Sequence, residues 1–300
     1  MKARLLISSA FAAVLLLFFA ACNETSHDPD GEDTSTLDLN EMVRETEHVF
    51  IYVPSPLETA TLLKLAGARF DKELLNSPEN AATYSNTTSQ ALNLGVYGAD
   101  LAFSGIFDQT AETMTYMKAT GKLADALHIS SAFSAERHKR IEDNKNNRDT
   151  ILNIITDAYF DCNTMLNDNN QGHASALMIA GGWIEGFYLA CRVAQQTNSK
   201  DIRVRIVEQR YSLDKLLLLL DKQKHESVQA VVADLKQLKK VFDAIPVKEK
   251  KSPAVSTDDQ KRITVVGDDS DAPQESINTL DFNKIINKIT EIRKRIVAAG

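Results

Sequence analysis

Two acidic side chains stand in stretches that are otherwise apolar, where a carboxylate is costly to bury. Asp100 lies in the segment from Gln90 to Gln109, and Glu185 lies in the segment from Ala174 to Gln195. If both carboxyl groups faced one cavity, they could share a proton or bind a cation. The alternative is that each acid reaches an arginine, a lysine or a backbone donor at the edge of the core.

Aromatic and glycine residues accompany both acids. Tyr97 stands near Asp100, and Trp183 belongs to the Gly-xxx-Gly segment Gly182-Trp183-Ile184-Glu185-Gly186. Each glycine costs a helix up to about 1 kcal/mol relative to alanine, so a close neighbour must compensate for it. That neighbour is either a packed helix or a small ligand against the bare backbone. The candidate ligand-binding residues are therefore Tyr97, Asp100, Trp183 and Glu185, with core packing as the alternative.

Other metal-binding or nucleophilic side chains form no recognisable motif. No two histidines are spaced i, i+4, so we expect neither a metal nor a cofactor. Cys162 and Cys191 could form a disulfide, or they could remain as buried thiols on apolar helix faces. The sequence lacks a nucleophile elbow and a phosphate loop, so we expect no enzyme. The histidines are His27, His48, His128, His138, His173 and His225.

Cys22 offers a different chemistry. The apolar stretch from Leu5 to Phe19 is too short to span a bilayer comfortably and fits an export signal over residues 1–21. This signal ends in Phe19-Ala20-Ala21-Cys22, which resembles the lipobox of bacterial lipoproteins, although Phe19 replaces the usual branched residue. The resemblance implies that the Cys22 thiol carries a diacylglycerol, whose acyl chains anchor the mature chain. The alternative is an ordinary secretory signal with an incidental cysteine.

Residues 22–48 have the composition of a disordered tether. From Asn23 to Val43 there is no lysine or arginine, while acidic residues mix with serine, threonine, proline and glycine. Because Asn23 rather than an aspartate follows Cys22, the resemblance to enteric-type sorting implies the outer membrane. The acidic tether also looks like the surface-export signals of Bacteroidota-type lipoproteins, with a plain spacer as the alternative.

The overall composition limits the class of partner. The net charge is -7, and loss of Lys2 and Arg4 with the signal makes the mature chain more acidic still. An acidic chain is unsuited to nucleic acid and to electrostatic docking on anionic lipid. Apolar residues make up 43% of the chain, which is enough to bury a substantial core.

The spacing of apolar residues predicts an all-α protein. We expect a multi-helix bundle over residues 49–245, a loop or linker over 246–273 and a C-terminal helix over 274–300. Ser134 to Leu166 should form one long helix or two in series, and its polar first half, Glu136 to Arg148, should project as a surface for a partner. Arg262 to Gly267 could form one short strand. The expected N-caps are Ser55, Asp201 and Ser227.

Two halves of the bundle share a spacing of residues that suggests duplication. A separation of about 85 residues relates Asp100 to Glu185 and Phe103 to Tyr188. Each Gly-rich segment is followed by a more polar amphipathic one. The pattern predicts two tandem three-helix units. The alternative is that two buried helices independently need small residues.

Two segments resemble a known group. At Leu92–Asp100 and again at Ala180–Gly186, the chain resembles uncharacterised helical lipoproteins of Bacteroidota-type bacteria, over roughly Val49 to Phe242. The resemblance implies no activity and no site. We therefore expect a non-enzymatic, membrane-anchored structural or interaction protein with an envelope protein as partner. The alternative is a module that binds a small ligand or an ion between the two Gly-rich helices.

Overall fold

In this computed structural model, the structure describes residues 53–245, 254–257, 263–266 and 277–298. The predicted export signal, Cys22, the acidic tether and the apolar residues 49–52 lie outside the described residues. So do most of the predicted linker, the first residues of the predicted C-terminal helix and residues 299–300.

The all-α, multi-helix prediction is confirmed. Short 3-10 helices at Lys72–Leu74, Pro78–Ala82 and Ser130–Phe133 connect some of the longer elements. The α-helices of the described residues are α1 (Pro56–Leu65), α2 (Thr87–Ile106), α3 (Thr110–Ala126), α4 (Ala135–Asp143), α5 (Arg148–Asp168), α6 (Gly172–Thr197), α7 (Lys200–Lys222), α8 (Glu226–Asp243) and α9 (Thr279–Ala298).

One of the three predicted N-caps is confirmed. The Ser55 hydroxyl accepts a hydrogen bond from the Glu58 amide, and the Glu58 carboxylate accepts one from the Ser55 amide. The prediction for α7 is wrong, because Ser199 is the cap and Asp201 lies in the first turn, where its charge suits the helix dipole. The prediction for α8 is also wrong, because the cap is His225.

Of the two arrangements expected for Ser134 to Leu166, the structure has two helices in series. α4 ends at Asp143, and α5 begins at Arg148 after Asn147, whose side chain accepts a hydrogen bond from the Thr150 amide. Ile141 is fully buried, so α4 lies against the body while most of its polar residues face solvent.

The predicted strand finds its partner inside the segment predicted as a linker. Ala254–Thr257 (β1) and Ile263–Val266 (β2) pair in antiparallel register, with Ala254 opposite Val266. A strand needs a partner for its backbone groups, and this one is local.

α2 and α6 form the centre of the bundle. Helices α1, α3 and α5 pack on α2, while α7 and α9 pack on α6. α6 is long and apolar enough to cross a membrane, but 94% of its most apolar stretch is buried among these neighbours. Its apolar surface is therefore buried in the core of the bundle.

Candidate functional site

α2 and α6 approach so closely that backbone meets backbone. A Cβ on Gly95 would overlap the Met178 carbonyl oxygen and lie 2.5 Å from the Gly182 amide nitrogen. A Cβ on Gly181 would in turn overlap the Leu92 carbonyl oxygen. The neighbour that lies against the bare glycine backbone is therefore a packed helix, which is one of the two alternatives expected from the sequence.

These contacts are reciprocal. Leu92 meets Gly181 and Gly95 meets Met178, so equivalent pairs on the two helices exchange the same contact. A duplicated unit makes such contacts, and so does convergence on small residues. The two tandem three-helix units therefore stay a prediction.

Little more than one turn beyond this crossing, the two buried acids meet. Asp100 on α2 and Glu185 on α6 have no exposed surface, and they lie close enough for Glu185 to raise the pKa of Asp100. The two acids, which are 85 residues apart in the sequence, are thus brought together by the packing of α2 on α6.

Glu185 is paired with an arginine from the C-terminal helix. Nε of Arg293 lies 2.7 Å from one carboxylate oxygen, and an Nη atom lies 2.8 Å from the other. The same guanidinium donates to the Leu74 carbonyl at 3.1 Å and lies over the Tyr188 ring. Burial disfavours the guanidinium charge, but Glu185 outweighs it and raises the pKa of Arg293.

Asp100 has a weaker set of partners. Its Oδ2 accepts the Asn76 backbone amide at 3.1 Å, whereas its buried Oδ1 has no hydrogen-bond donor among the described residues. Burial and then the negative charge of Glu185 raise the pKa of Asp100 well above its ordinary value. The Arg293 charge and the Asn76 hydrogen bond act in the opposite direction.

Tyrosine hydroxyls surround the acids and bind the loop before α2. Tyr97 donates to the Ser77 carbonyl at 2.7 Å, and Tyr116 donates to the Asn76 carbonyl at 3.0 Å. Burial raises the pKa of both phenols, so both remain donors. The Tyr84 hydroxyl accepts from the Asn76 side-chain amide.

Of the four candidate residues, three come together and one does not. Tyr97, Asp100 and Glu185 share this buried cluster, whereas Trp183 faces α7, where its indole N–H donates to Gln209 at 3.2 Å. Trp183 precedes Glu185 by two positions, which places the side chains on nearly opposite sides of a helix.

Arg293 completes the cluster and is not among the residues predicted from the sequence. Arg293 lies on α9 among the buried residues Ile286, Ile289, Ile292 and Ile296. Helical periodicity places position 293, one heptad after Ile286, on the apolar stripe. A cation at a core position is a signal for a buried acid, and it was available from the sequence.

The last turn of α9 is also bound to the core. The Asn93 side-chain amide donates to the Ile296 carbonyl at 3.1 Å, and the Tyr84 hydroxyl donates to the Val297 carbonyl at 2.9 Å. These carbonyl groups have no partner within their own helix, so α2 and the preceding loop supply one.

The histidines and cysteines make no site of their own in the described part of the chain. The rings of His173 and His225 stack with centroids 4.1 Å apart, a contact that the sequence did not predict. Within the described residues, no three histidine, cysteine, aspartate or glutamate side chains converge on a possible metal position. Of the two outcomes considered for Cys162 and Cys191, the thiols are unbonded and buried.

Comparison of the chain with protein-family models, with curated proteins and with solved structures finds no match. The resemblance to helical lipoproteins of Bacteroidota-type bacteria therefore stays a prediction.

Proposed function

We propose that this chain is a lipoprotein of the bacterial outer membrane, anchored by acyl chains on Cys22, whose helical body is a structural or interaction protein rather than an enzyme. The lipobox-like end of the export signal and the acidic segment after it support the anchoring. The proposed partners are the membrane, reached through the lipid, and an envelope protein, with no nucleic acid.

The closure of the acid cluster is the observation that favours a structural role. The Glu185 carboxylate is paired with Arg293, and Asp100 accepts a hydrogen bond from the Asn76 amide. Neither carboxyl group reaches solvent. A catalytic or ligand-binding acid needs access to its substrate. The residues best suited to chemistry are instead used to hold helices together.

Mass spectrometry of the mature N-terminal peptide tests the anchoring. We expect this peptide to begin at Cys22 and to carry acyl mass, and we expect a Cys22→Ala variant to leave the membrane fraction. A Cys162→Ala variant is the matched control and should stay membrane-bound. A mature peptide that begins elsewhere, or that carries no acyl group, would contradict the proposal.

The polar face of α4 is the proposed partner surface. Glu136, Lys139, Arg140 and Glu142 are exposed on a helix that Ile141 anchors to the body. A photo-crosslinking residue at position 140, used in intact cells, should give a discrete adduct with an envelope protein. The same residue at the exposed position 229 of α8 should not. Equal adducts from both positions would argue against a specific surface.

The ligand-binding alternative placed its site between the two Gly-rich helices, where backbone packs on backbone. A pocket elsewhere in the body offers a different location for a ligand. About 230 Å³ of space lies between α1, α6 and α7 beside Gly186, with aliphatic walls that include Leu63, Ala190 and Ile206. Leu62 and Leu65, which also line it, are 47% and 80% exposed. Asp201, Arg205 and Gln209 are also part of the lining, so the pocket suits a small molecule with an apolar body and a polar end.

Titration with decanoate separates this alternative from the structural role. If the chain is a binding module, wild type should bind the probe and Ala190→Trp, which fills the pocket, should not. Ala126→Trp, at an exposed position of α3, should bind as wild type does. Absence of saturable binding to the wild type would leave the structural role as the better proposal.

A further inference from the structure

The acid cluster contains two carboxyl groups but one guanidinium. The groups that face Asp100 are Glu185 of α6, Arg293 of α9, Tyr97 of α2, Tyr116 of α3, and Tyr84 with the Asn76 amide from the preceding loop. Arg293 is the cation among them, and both carboxylate oxygens of Glu185 already accept from it. A second negative charge at Asp100 would be buried without a cation of its own.

The hydrogen bonds point to the same protonation state. Oδ1 of Asp100 is buried without a donor from the described residues, while the Glu185 carboxylate beside it is an acceptor. An ionised carboxylate can only accept, but a protonated one also donates. A proton on Asp100 would give this group a donor toward Glu185 and leave Oδ2 to accept from Asn76.

We propose that Asp100 keeps its proton in the folded protein and uses it to donate a hydrogen bond to the Glu185 carboxylate. Folding then takes up one proton, and the fold loses stability as the pH rises. In this state the cluster holds one negative and one positive charge and is neutral overall. The site is thus a proton-binding site formed by the α2–α6 contact.

The sign of the pH dependence follows from the pKa of Asp100 in the two states. In the unfolded chain the carboxyl group ionises near pH 4, whereas burial and Glu185 raise its pKa in the folded protein. Between these two values the folded state binds more protons. The equilibrium constant for unfolding should therefore rise by up to about tenfold per pH unit from this group.

Urea unfolding of the full mature chain at pH 5, 6, 7 and 8 measures this effect. We expect Asp100→Asn to remove the Asp100 contribution to the slope, because an amide can donate to Glu185 and accept from Asn76 at every pH. Asp161→Asn, in a partly exposed ion pair with Arg137, is the matched control and should keep the wild-type slope. Equal slopes in wild type and Asp100→Asn would overturn the proposal.

Infrared spectroscopy provides a measurement that does not depend on folding of the variant. At pH 7 the folded wild type should show the carbonyl-stretching band of a protonated carboxyl group, and urea should abolish it. Asp161→Asn should retain the band, and Asp100→Asn, where folded, should lack it. A folded wild type without this band at pH 7 would also overturn the proposal.

Discussion

Gly95 of α2 and Gly181 of α6 each lie against a carbonyl oxygen of the other helix, so neither position has room for a methyl group. The obstacle at both positions is backbone, which cannot move aside as a flexible side chain can. The two central helices can approach this closely only because both positions carry a hydrogen atom in place of a side chain.

Replacement of either glycine by alanine should push the central helices apart. We expect Gly95→Ala or Gly181→Ala to lower the free energy of unfolding by about 3 kcal/mol or more, since overpacking exceeds the gain in helix propensity. Gly121→Ala is the control, because its added Cβ would lie 3.3 Å from Phe133 Cβ, which is a tight contact but not an overlap. We expect its effect to stay within about 1 kcal/mol. Urea unfolding that gave equal effects at all three positions would contradict the close approach.

Removal of one partner of the Glu185–Arg293 pair should be costly. Arg293→Met removes the hydrogen bonds that Arg293 donates to both oxygens of the fully buried Glu185 carboxyl group, so we expect a loss of about 3–5 kcal/mol in the free energy of unfolding. The double variant Glu185→Gln, Arg293→Met should recover much of this loss. As a control, Lys236→Met breaks the exposed pair with Asp221 and should cost less than about 1 kcal/mol. A double variant no more stable than Arg293→Met would show that the ion pair is not the cause.

The two cysteines should be unreactive in the native protein. Burial raises the pKa of the Cys162 thiol to about 12 and raises that of Cys191 as well, so almost no thiolate forms at neutral pH. We expect mass spectrometry to find neither residue alkylated by iodoacetamide until urea is added. A cysteine introduced at the exposed position Gln229 should react at once. Rapid native alkylation of Cys162 would place that thiol at the surface.

The stacked histidines should make the junction of α6 and α8 sensitive to acid. Burial and then the charge of His225 lower the pKa of His173 below its ordinary value. Stability from this group is therefore complete above pH 6.5 and decreases as the pH falls toward the lowered pKa. We expect the free energy of unfolding of His173→Gln, relative to that of wild type at the same pH, to rise as the pH falls from 7 to 5. His138→Gln should behave as wild type does, and no difference between the two variants would contradict the effect of stacking.

The sequence predicted the parts of the fold that depend on local pattern. Apolar periodicity gave the helices, and a serine before a proline gave the start of α1. It also marked Asp100 and Glu185 as unusual, because an acid in an apolar helix needs a partner wherever the helix lies.

The partners themselves depend on tertiary contacts that no local pattern specifies. Arg293 meets Glu185 from 108 residues away, and the histidine contact joins the starts of two different helices. The wrong cap of α7 has a local cause, since Ser199 and Asp201 are both good capping residues two positions apart. Choosing between them requires the backbone path that enters α7.

The position of α9 also has a consequence for the order in which the core can form as the chain is synthesised. A chain that emerges from its N-terminus first presents Glu185 long before Arg293, and Asn93 and Tyr84 long before the carbonyl groups that they bind. Until the final helix follows, the two central helices carry an unneutralised acid and an uncovered apolar surface. Completion of the core thus waits until α9 has been synthesised, and a chain that stops before this helix should not reach the native packing of α2 and α6.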